Sequence, residues 1–215
     1  MFYMDITTYE DAYLKTRRGL GKRKRRINLF KINNNASILD YGCGDGLDLI
    51  AFHELGYKNV IGIDNSSNLL AKINGHKIVL TDAHNTGFKG NIFDVVFINS
   101  VIHHLNVIKS LQEIKRILKK NGGILCIIEQ RDSILRKIFD LITFSPLSSI
   151  HGILKNRRIA LTEEYEIYKE WLRLGKKIST CAVRYDSTNT KENNFEVQLY
   201  KKGPIGVYIK AVSRG

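Results

Sequence analysis

The stretch ILDYGCGDG, residues 38–46, decides how the rest of this sequence is interpreted. A short apolar run ends at Asp40, three glycines follow at alternate positions, and apolar residues then recur at helical spacing from Leu47 to Leu55. This order predicts a strand, a glycine turn and a helix. In a doubly wound sheet such a turn lies at the carboxyl end of a strand, which is where ligands bind.

Short apolar runs continue to alternate with helix-like runs downstream of the glycine turn. The runs that predict strands are 59–63, 76–80, 93–99 and 124–128. Near-continuous apolar strands with amphipathic helices between them are typical of a parallel sheet covered by helices on both faces. The sequence therefore predicts an α/β protein with a doubly wound, mostly parallel sheet.

Two features of this pattern are specific enough to be tested in a structure. The helix predicted at 107–120 places Ile108 and Leu111 on its apolar face. Residues 177–185 and 205–212 predict two final strands without a helix between them. We therefore expect these two strands to form an antiparallel pair at the edge of the sheet.

Composition limits the classes of function. The chain has 215 residues, of which 43% are hydrophobic, which suits one domain with a sizeable core. No apolar run reaches the roughly 18–20 residues of a membrane helix, and residues 1–10 lack the pattern of a secretory signal. The three cysteines lie far apart and predict neither a disulfide framework nor a zinc site. We expect a cytoplasmic protein.

Positive charge is concentrated in one segment. The formal net charge is +13, and Lys15–Arg26 contains eight Lys and Arg residues and no acid. An acidic partner is therefore expected at this basic arm, either an anionic membrane surface, a pyrophosphate-linked molecule or a nucleic acid. The alternative is a solvated helix face without a partner.

Three acids follow three successive predicted strands. Asp40 precedes the glycines, Asp64 ends the second strand and Asp82 ends the third. A carboxylate at the position of Asp64 can accept both hydroxyls of a ribose, and one at Asp82 can accept from an adenine amino group. The spacing is not the G-x-G-x-x-G of a dinucleotide site, because residue 47 is Leu. Carboxylates repel phosphate, so the pattern predicts a cationic nucleoside without phosphate.

The segments LDYGCGDG, IGIDNS, TDAHNTGF, FDVVFINSVIHHL and LKKNGGILCIIE, in this order, resemble the class I S-adenosylmethionine-dependent methyltransferases, and most closely their type 11 domain. The resemblance covers about Ala36 to Glu129. It implies a Rossmann-like, seven-stranded sheet with a reversed last strand, and S-adenosylmethionine as the cofactor. The residues that it implies for cofactor binding are Asp40, Gly42, Cys43, Gly44, Asp64, Asn65, Asp82, Ala83 and Asn99.

The resemblance also indicates where the chemistry would take place. His103 and His104 follow the fourth strand and are the candidate catalytic residues, as a base or as a hydrogen-bond partner of the acceptor. The alternative is that they only orient the loop. Some related enzymes carry E-x-x-E-H here and bind a cation, but this chain has Ser100 in place of the first carboxylate, so no metal is expected. Glu129 and Tyr13 are the candidate substrate-binding residues.

The chain is interpreted as one domain, 1–215. Residues 1–35 form the basic arm, 36–130 the cofactor-binding core, 131–160 an inserted helical cap over the substrate, and 161–215 the last helix and the edge strands. The cap has a broad apolar face, which predicts a lipid-like acceptor. The alternative is a helix packed on its own domain.

The sequence thus predicts an S-adenosylmethionine-dependent methyltransferase that acts on a small-molecule, lipid-like or glycolipid acceptor and contacts an anionic membrane surface peripherally. One alternative is a tRNA methyltransferase of the wobble-uridine type, since NSVIHHL and the helix after it also resemble those enzymes. Another is a cofactor-binding partner protein without catalytic activity.

Overall fold

The structure is a computed structural model that describes residues 19–130, 195–202 and 206–213. Several predictions concern residues outside these ranges: Tyr13, the cap at 131–160, the helix expected after Thr162 and the strand expected at 177–185. They remain predictions. Within the described ranges, no helix is both long and apolar enough to cross a membrane.

The described elements from β1 to β5 follow one another as the sequence pattern predicts. In chain order they are α1 (Leu20–Asn28), β1 (Ile38–Tyr41), α2 (Leu47–Glu54), β2 (Val60–Asp64), α3 (Ser67–Leu70), β3 (Lys77–Leu80), β4 (Val95–Asn99), a 3-10 helix (Ile102–His104), α4 (Val107–Ile117), β5 (Ile124–Gln130), β6 (Phe195–Lys202) and β7 (Gly206–Ser213).

The strands form one seven-stranded sheet in the order β3-β2-β1-β4-β5-β7-β6. The first five are parallel, and Ile38 of β1 is in register with Val60 on one side and Val95 on the other. β7 runs antiparallel to β5 and to β6. This arrangement confirms the predicted doubly wound, mostly parallel sheet.

The antiparallel edge differs from its prediction in one strand. β7 matches the strand expected at 205–212, but its described partner is β6, Phe195–Lys202, in a stretch where no strand was predicted. FEVQLYKK alternates apolar and polar residues. Such alternation is expected for an edge strand of an antiparallel pair, and it was the signal that could have located β6.

Alternate residues of the central strands pack into two separate cores. Val96 and Ile98 of β4 lie in a core with α4, whereas Val95 and Phe97 lie in a second core with α1 and α2. Successive side chains of a strand point to opposite faces. Helices therefore cover both faces, and the open carboxyl ends of the strands are left for a site.

The prediction that Ile108 lies on the apolar face of α4 is wrong. Its side chain is 64% exposed, while Ile114 and Ile117 are fully buried. Nine residues, or about two and a half helical turns, separate Ile108 from Ile117, so the two point to opposite sides. Asn106 is the N-cap of the helix, and its side chain accepts from the N–H of Lys109 at 3.2 Å.

Helix α4 also holds the loop that follows β3. The buried Glu113 carboxylate accepts from the Thr86 N–H at 2.9 Å and from the Thr86 hydroxyl at 2.6 Å. Arg116 donates to the same carboxylate and, at 2.7 Å, to the carbonyl of Phe88. The Arg116 hydrogen bonds, opposed by burial and assisted by Thr86, lower the pKa of Glu113 to about 2.

We expect Glu113→Gln to lower the free energy of unfolding by about 1–3 kcal/mol at neutral pH, because charge-assisted hydrogen bonds are lost. The folded-state pKa is below the ordinary value of 4.5, so this stabilisation is present above pH 4.5 and is lost as the pH falls towards about 2. Urea denaturation across this pH range should show a smaller acid loss in the variant than in the wild type.

The control for this prediction is Glu54→Gln, which removes a carboxylate from the exposed ion pair with Lys24. Exposed pairs contribute little, so this variant should unfold like the wild type. Equal effects of the two substitutions would contradict the anchoring role of Glu113.

Candidate functional site

The glycine turn is fastened under the end of β2. The N–H groups of Gly42 and Cys43 both donate to the carbonyl of Ile63, each at 2.8 Å. The N–H of Gly44 donates to Oδ2 of Asp64, also at 2.8 Å. These three bonds hold the turn between β1 and α2 against the neighbouring strand, so the ends of both strands share one site.

Two glycines are required by close approach. Gly42 has φ +80°, and a Cβ there would lie 2.5 Å from Cγ1 of Val101. A Cβ on Gly62 of β2 would lie 2.7 Å from Sγ of Cys43. A contact under 3 Å forces a displacement, so side chains at these positions would move the turn away from the sheet.

A buried charge cluster lies beside the turn. Asp40 of β1 is 1% exposed and Asp48 of α2 is 4% exposed. Oδ2 of Asp48 accepts from the guanidinium of Arg23 on α1 and, at 2.9 Å, from Nδ2 of Asn99 at the end of β4. Sequence reasoning had missed Arg23 and Asp48, because an ion pair between residues far apart in sequence leaves no local pattern.

The cluster contains more negative than positive charge. Burial and the neighbouring Asp48 raise the pKa of Asp40 well above its usual value, against the opposing effect of Arg23. Burial also raises the pKa of Asp48, with Arg23 and Asn99 acting in the opposite direction. Burial and nearby acids raise the pKa of Cys43, so its thiol stays neutral. No donor among the described residues lies within hydrogen-bond distance of Asp40 Oδ2.

Asp64 ends β2, as expected, whereas Asp82 lies in the loop after β3, which ends at Leu80, and not at the strand end expected for it. Oδ1 of Asp64 accepts from the N–H of Ser66 at 2.9 Å, so each carboxylate oxygen receives one backbone donor. The Asp82 side chain is largely exposed. Its pKa is lowered because Oδ1 accepts from the backbone N–H of His84 and contacts the His84 ring.

His84 is partly buried between the loop after β3 and the start of α4. Its Nδ1 lies 2.7 Å from Asp82 Oδ1, and its Nε2 lies 3.0 Å from the N–H of Asn106, which donates to it. Nε2 is then the acceptor, so Nδ1 carries the ring proton and donates a hydrogen bond to Oδ1 of Asp82. His84 thus links the end of β3 to the start of α4. The hydroxyl of Tyr41 donates to the carbonyl of Ala83 and holds the same loop.

The chain bends sharply where β4 ends. Ser100 follows Asn99 with φ +62°, and its N–H donates to the carbonyl of Ile128 at 2.8 Å. A left-handed residue other than glycine is strained, and such strain is concentrated at functional sites. The 3-10 helix that contains His103 and His104 begins two residues later, and His104 is exposed.

The remaining candidates are placed as follows. Asn65 is exposed directly after β2, and Glu129 is buried near the end of β5, opposite Val207 of β7. Tyr13 lies outside the described residues. Within the described ranges there is no group of three side chains that could hold a metal ion.

The site therefore combines a close backbone turn with carboxylates from β1, β2 and the loop after β3. Their arrangement can accept hydrogen bonds from hydroxyl and amino groups and attract a cation. The orphaned, buried oxygen of Asp40 calls for a donor, because a buried acceptor without one is costly. These properties fit a cationic nucleoside.

Comparisons with known proteins bear on the fold and on the resemblance. Residues 39–126 match the family described as "Methyltransferase domain". A SAM-dependent methyltransferase from Archaeoglobus fulgidus has a similar structure, with a TM-score of 0.58 at 18% identity over 95% of this chain and 99% of that chain. This likeness shows the shared fold. The predicted fold is confirmed, and the predicted resemblance to methyltransferases is supported over residues 39–126.

Curated relatives cover part of the sequence. An uncharacterised protein of Methanocaldococcus jannaschii is 37% identical over 114 residues, which are 52% of this chain and 48% of the relative. A demethylmenaquinone methyltransferase of Staphylococcus saprophyticus is 30% identical over 115 residues, which are 49% of each protein. The chain thus spans about half the length of these relatives.

Proposed function

Since residues 39–126 match the family described as "Methyltransferase domain", we propose that this chain is an S-adenosylmethionine-dependent methyltransferase. The observation that carries the proposal is the glycine turn held between Asp40 and Asp64 at the carboxyl ends of β1 and β2. It offers backbone and carboxylates to a nucleoside, whereas a phosphate would be repelled.

The residues present fit this cofactor. Each Asp64 oxygen accepts one backbone N–H and retains a lone pair for a ribose hydroxyl. Within the described residues, the hydrogen bonds of Asp82 engage Oδ1 alone, so Oδ2 can accept from an adenine amino group. The buried Asp40 oxygen suits the ammonium of the methionine part. Gly42 and Gly44 leave room for close approach to the backbone.

The residues of this chain would contribute to catalysis mainly by aligning the acceptor with the methyl group of the cofactor. The cofactor supplies a methyl group bonded to a positively charged sulfur. An in-line displacement needs the acceptor held in line with that methyl group, and alignment accounts for much of such catalysis. Asn99 and the bend at Ser100 form the wall at the end of β4. His104, exposed after that bend, is the candidate base where the acceptor must lose a proton, with His103 beside it in sequence.

We propose a small, lipid-like molecule as the acceptor. The demethylmenaquinone methyltransferase relative has such an acceptor by its name, and the apolar segment 131–160 of the sequence offers a matching cover. Glu129 near the end of β5 is the candidate substrate contact within the described residues. A tRNA acceptor is the other outcome that the test below distinguishes.

The first prediction is that S-adenosylmethionine and its demethylated product raise the melting temperature, by preferential binding to the native state. Asp64→Ala should weaken binding by about 1–3 kcal/mol in calorimetric titration, because a charged acceptor is lost. The control is Asp94→Ala. Asp94 directly precedes β4, so it lies at the amino ends of the strands, and its carboxylate accepts from the N–H and hydroxyl of Ser37. This control should lose stability but keep its affinity. No thermal shift of the wild type at saturating cofactor would contradict the proposal.

The acceptor class can be identified by methyl labelling. The protein is incubated with cofactor labelled in its methyl group and with cell extract, and the products are separated into lipid, RNA and small-molecule fractions. We expect label in the lipid fraction. Label in tRNA alone would replace the proposed acceptor, and cofactor binding without label in any fraction would favour the partner protein without catalytic activity.

We also propose that α1 contacts an anionic membrane surface. Lys22, Arg25 and Leu29 lie at spacings of three and four residues, so they share one helix face, and all three are exposed. Basic side chains beside an exposed apolar one suit the boundary of anionic headgroups. Of the arm residues described, Arg23 is buried and Arg26 stacks on the ring of Tyr208. The basic arm is therefore only partly a free surface.

We expect the protein to bind vesicles that contain anionic lipid, and Lys22→Gln with Arg25→Gln to reduce this binding about tenfold or more, at about 1 kcal/mol per basic residue. Lys89→Gln with Lys120→Gln removes the same charge from exposed positions outside α1 and serves as the control. Sedimentation at low and high salt measures the effect. Selective RNA binding with a steep salt slope, lost in the α1 variant, would overturn the membrane proposal.

A further inference from the structure

Arg23 differs from its basic neighbours on α1. Its side chain is 8% exposed, whereas Lys22 and Arg25 are exposed and Lys24 forms a surface ion pair. The guanidinium contacts Asp48 in the first turn of α2, directly after the glycine turn. One residue of the basic arm therefore reaches the interior beside the candidate cofactor site.

Asp40 is surrounded by groups from several elements. Asp48 on α2 and Asp64 at the end of β2 act on it as like charges, and Arg23 acts as the opposite charge. Arg26, also on α1, acts on Asp48. Two neutral groups of the described residues adjoin the pair: the Cys43 thiol in the turn, near Asp40, and the Asn99 amide at the end of β4, which donates to Asp48.

We propose that Arg23 is a positioning residue of the cofactor site: by binding and neutralising Asp48, it leaves Asp40 as the carboxylate whose charge meets the cation of the cofactor. The inference rests on the proposed function. It would make the cofactor site depend on α1, which precedes the matched residues 39–126 in sequence.

The physical reason is that two neighbouring buried carboxyl groups do not both stay ionised unless one is compensated. Burial and Asp48 raise the pKa of Asp40 even with Arg23 in place, and without Arg23 this pKa would rise further, so the two carboxyl groups would share a proton at a higher pH. The Asn99 amide donates to Asp48, so the remaining negative charge would stay on Asp48, and Asp40 would hold the proton. The cofactor's ammonium would then lose its anionic partner.

The test uses two substitutions that break the same ion pair from opposite sides. Arg23→Met removes the positive neighbour of Asp40, so the pH below which cofactor affinity falls should move up by about one unit. Asp48→Asn removes the negative neighbour, so that pH should move down. Both variants should have a lower melting temperature, because each disrupts a buried pair. Calorimetric titration with S-adenosylhomocysteine from pH 5 to 9 gives the profiles.

Three further variants serve as controls for this test. Arg23→Lys retains the positive charge and should give a profile close to that of the wild type. The double variant Arg23→Met with Asp48→Asn removes both charges and serves where a single variant does not fold, with a profile between those of the single variants. Lys24→Gln breaks the exposed pair on the same helix and should change neither the profile nor the melting temperature.

The titration of Asp40 itself can be followed without cofactor, by carboxyl carbon NMR of the free protein assigned with Asp40→Asn. Opposite displacements of this titration in Arg23→Met and Asp48→Asn support the proposal, and displacements in the same direction, or none, overturn it. If the wild type binds no cofactor at any pH, the proposed function fails. The NMR titration then still decides whether Arg23 sets the charge on Asp40.

Discussion

The site depends on one interaction, the close packing of the glycine turn against the end of β2. The carbonyl of Ile63 receives two N–H groups from the turn, and Asp64 receives a third. This packing leaves no room for a Cβ on Gly62. Because the turn is held at this distance, α2 begins beside the carboxyl ends of the strands, and Asp48 lies next to Asp40. Displacing the turn would break its bond to Asp64 and move Asp48 away from Asp40.

Electrostatics then determine what the site can bind. Asp40 and Asp64 lie at the carboxyl ends of β1 and β2, Asp48 lies in the first turn of α2, and Arg23 compensates Asp48. The uncompensated negative charge favours a ligand with cationic and donor groups and disfavours phosphate. The same ion pair ties α1 to α2, so a helix outside the matched domain contributes to the charge balance of the site.

Contacts with α4 hold the loop after β3, which carries Asp82 of the site. Glu113 and Arg116 of α4 bind the loop after β3, and His84 bonds both Asp82 and the N–H that precedes α4. Asp82 is therefore positioned through α4 rather than by its own strand alone. On the other side of the sheet, β7 pairs antiparallel with β5, and Glu129 of β5 lies opposite Val207.

The sequence by itself determined the order of strands and helices from β1 to β5, the glycine turn and the acids at the ends of β1 and β2. These features are local, because a strand end or a tight turn is encoded by a few adjacent residues. The placement of Ile108 was wrong. Apolar residues lie on more than one side of α4, and only the packing of the helix against the sheet decides which side is buried. β6 was missed, because a short alternating run becomes a strand only beside β7. The role of the site residues in binding stays a prediction. Only the tertiary structure brought Arg23 to Asp48 and His84 to Asn106, because these contacts join side chains that the fold, and not the local pattern, places together.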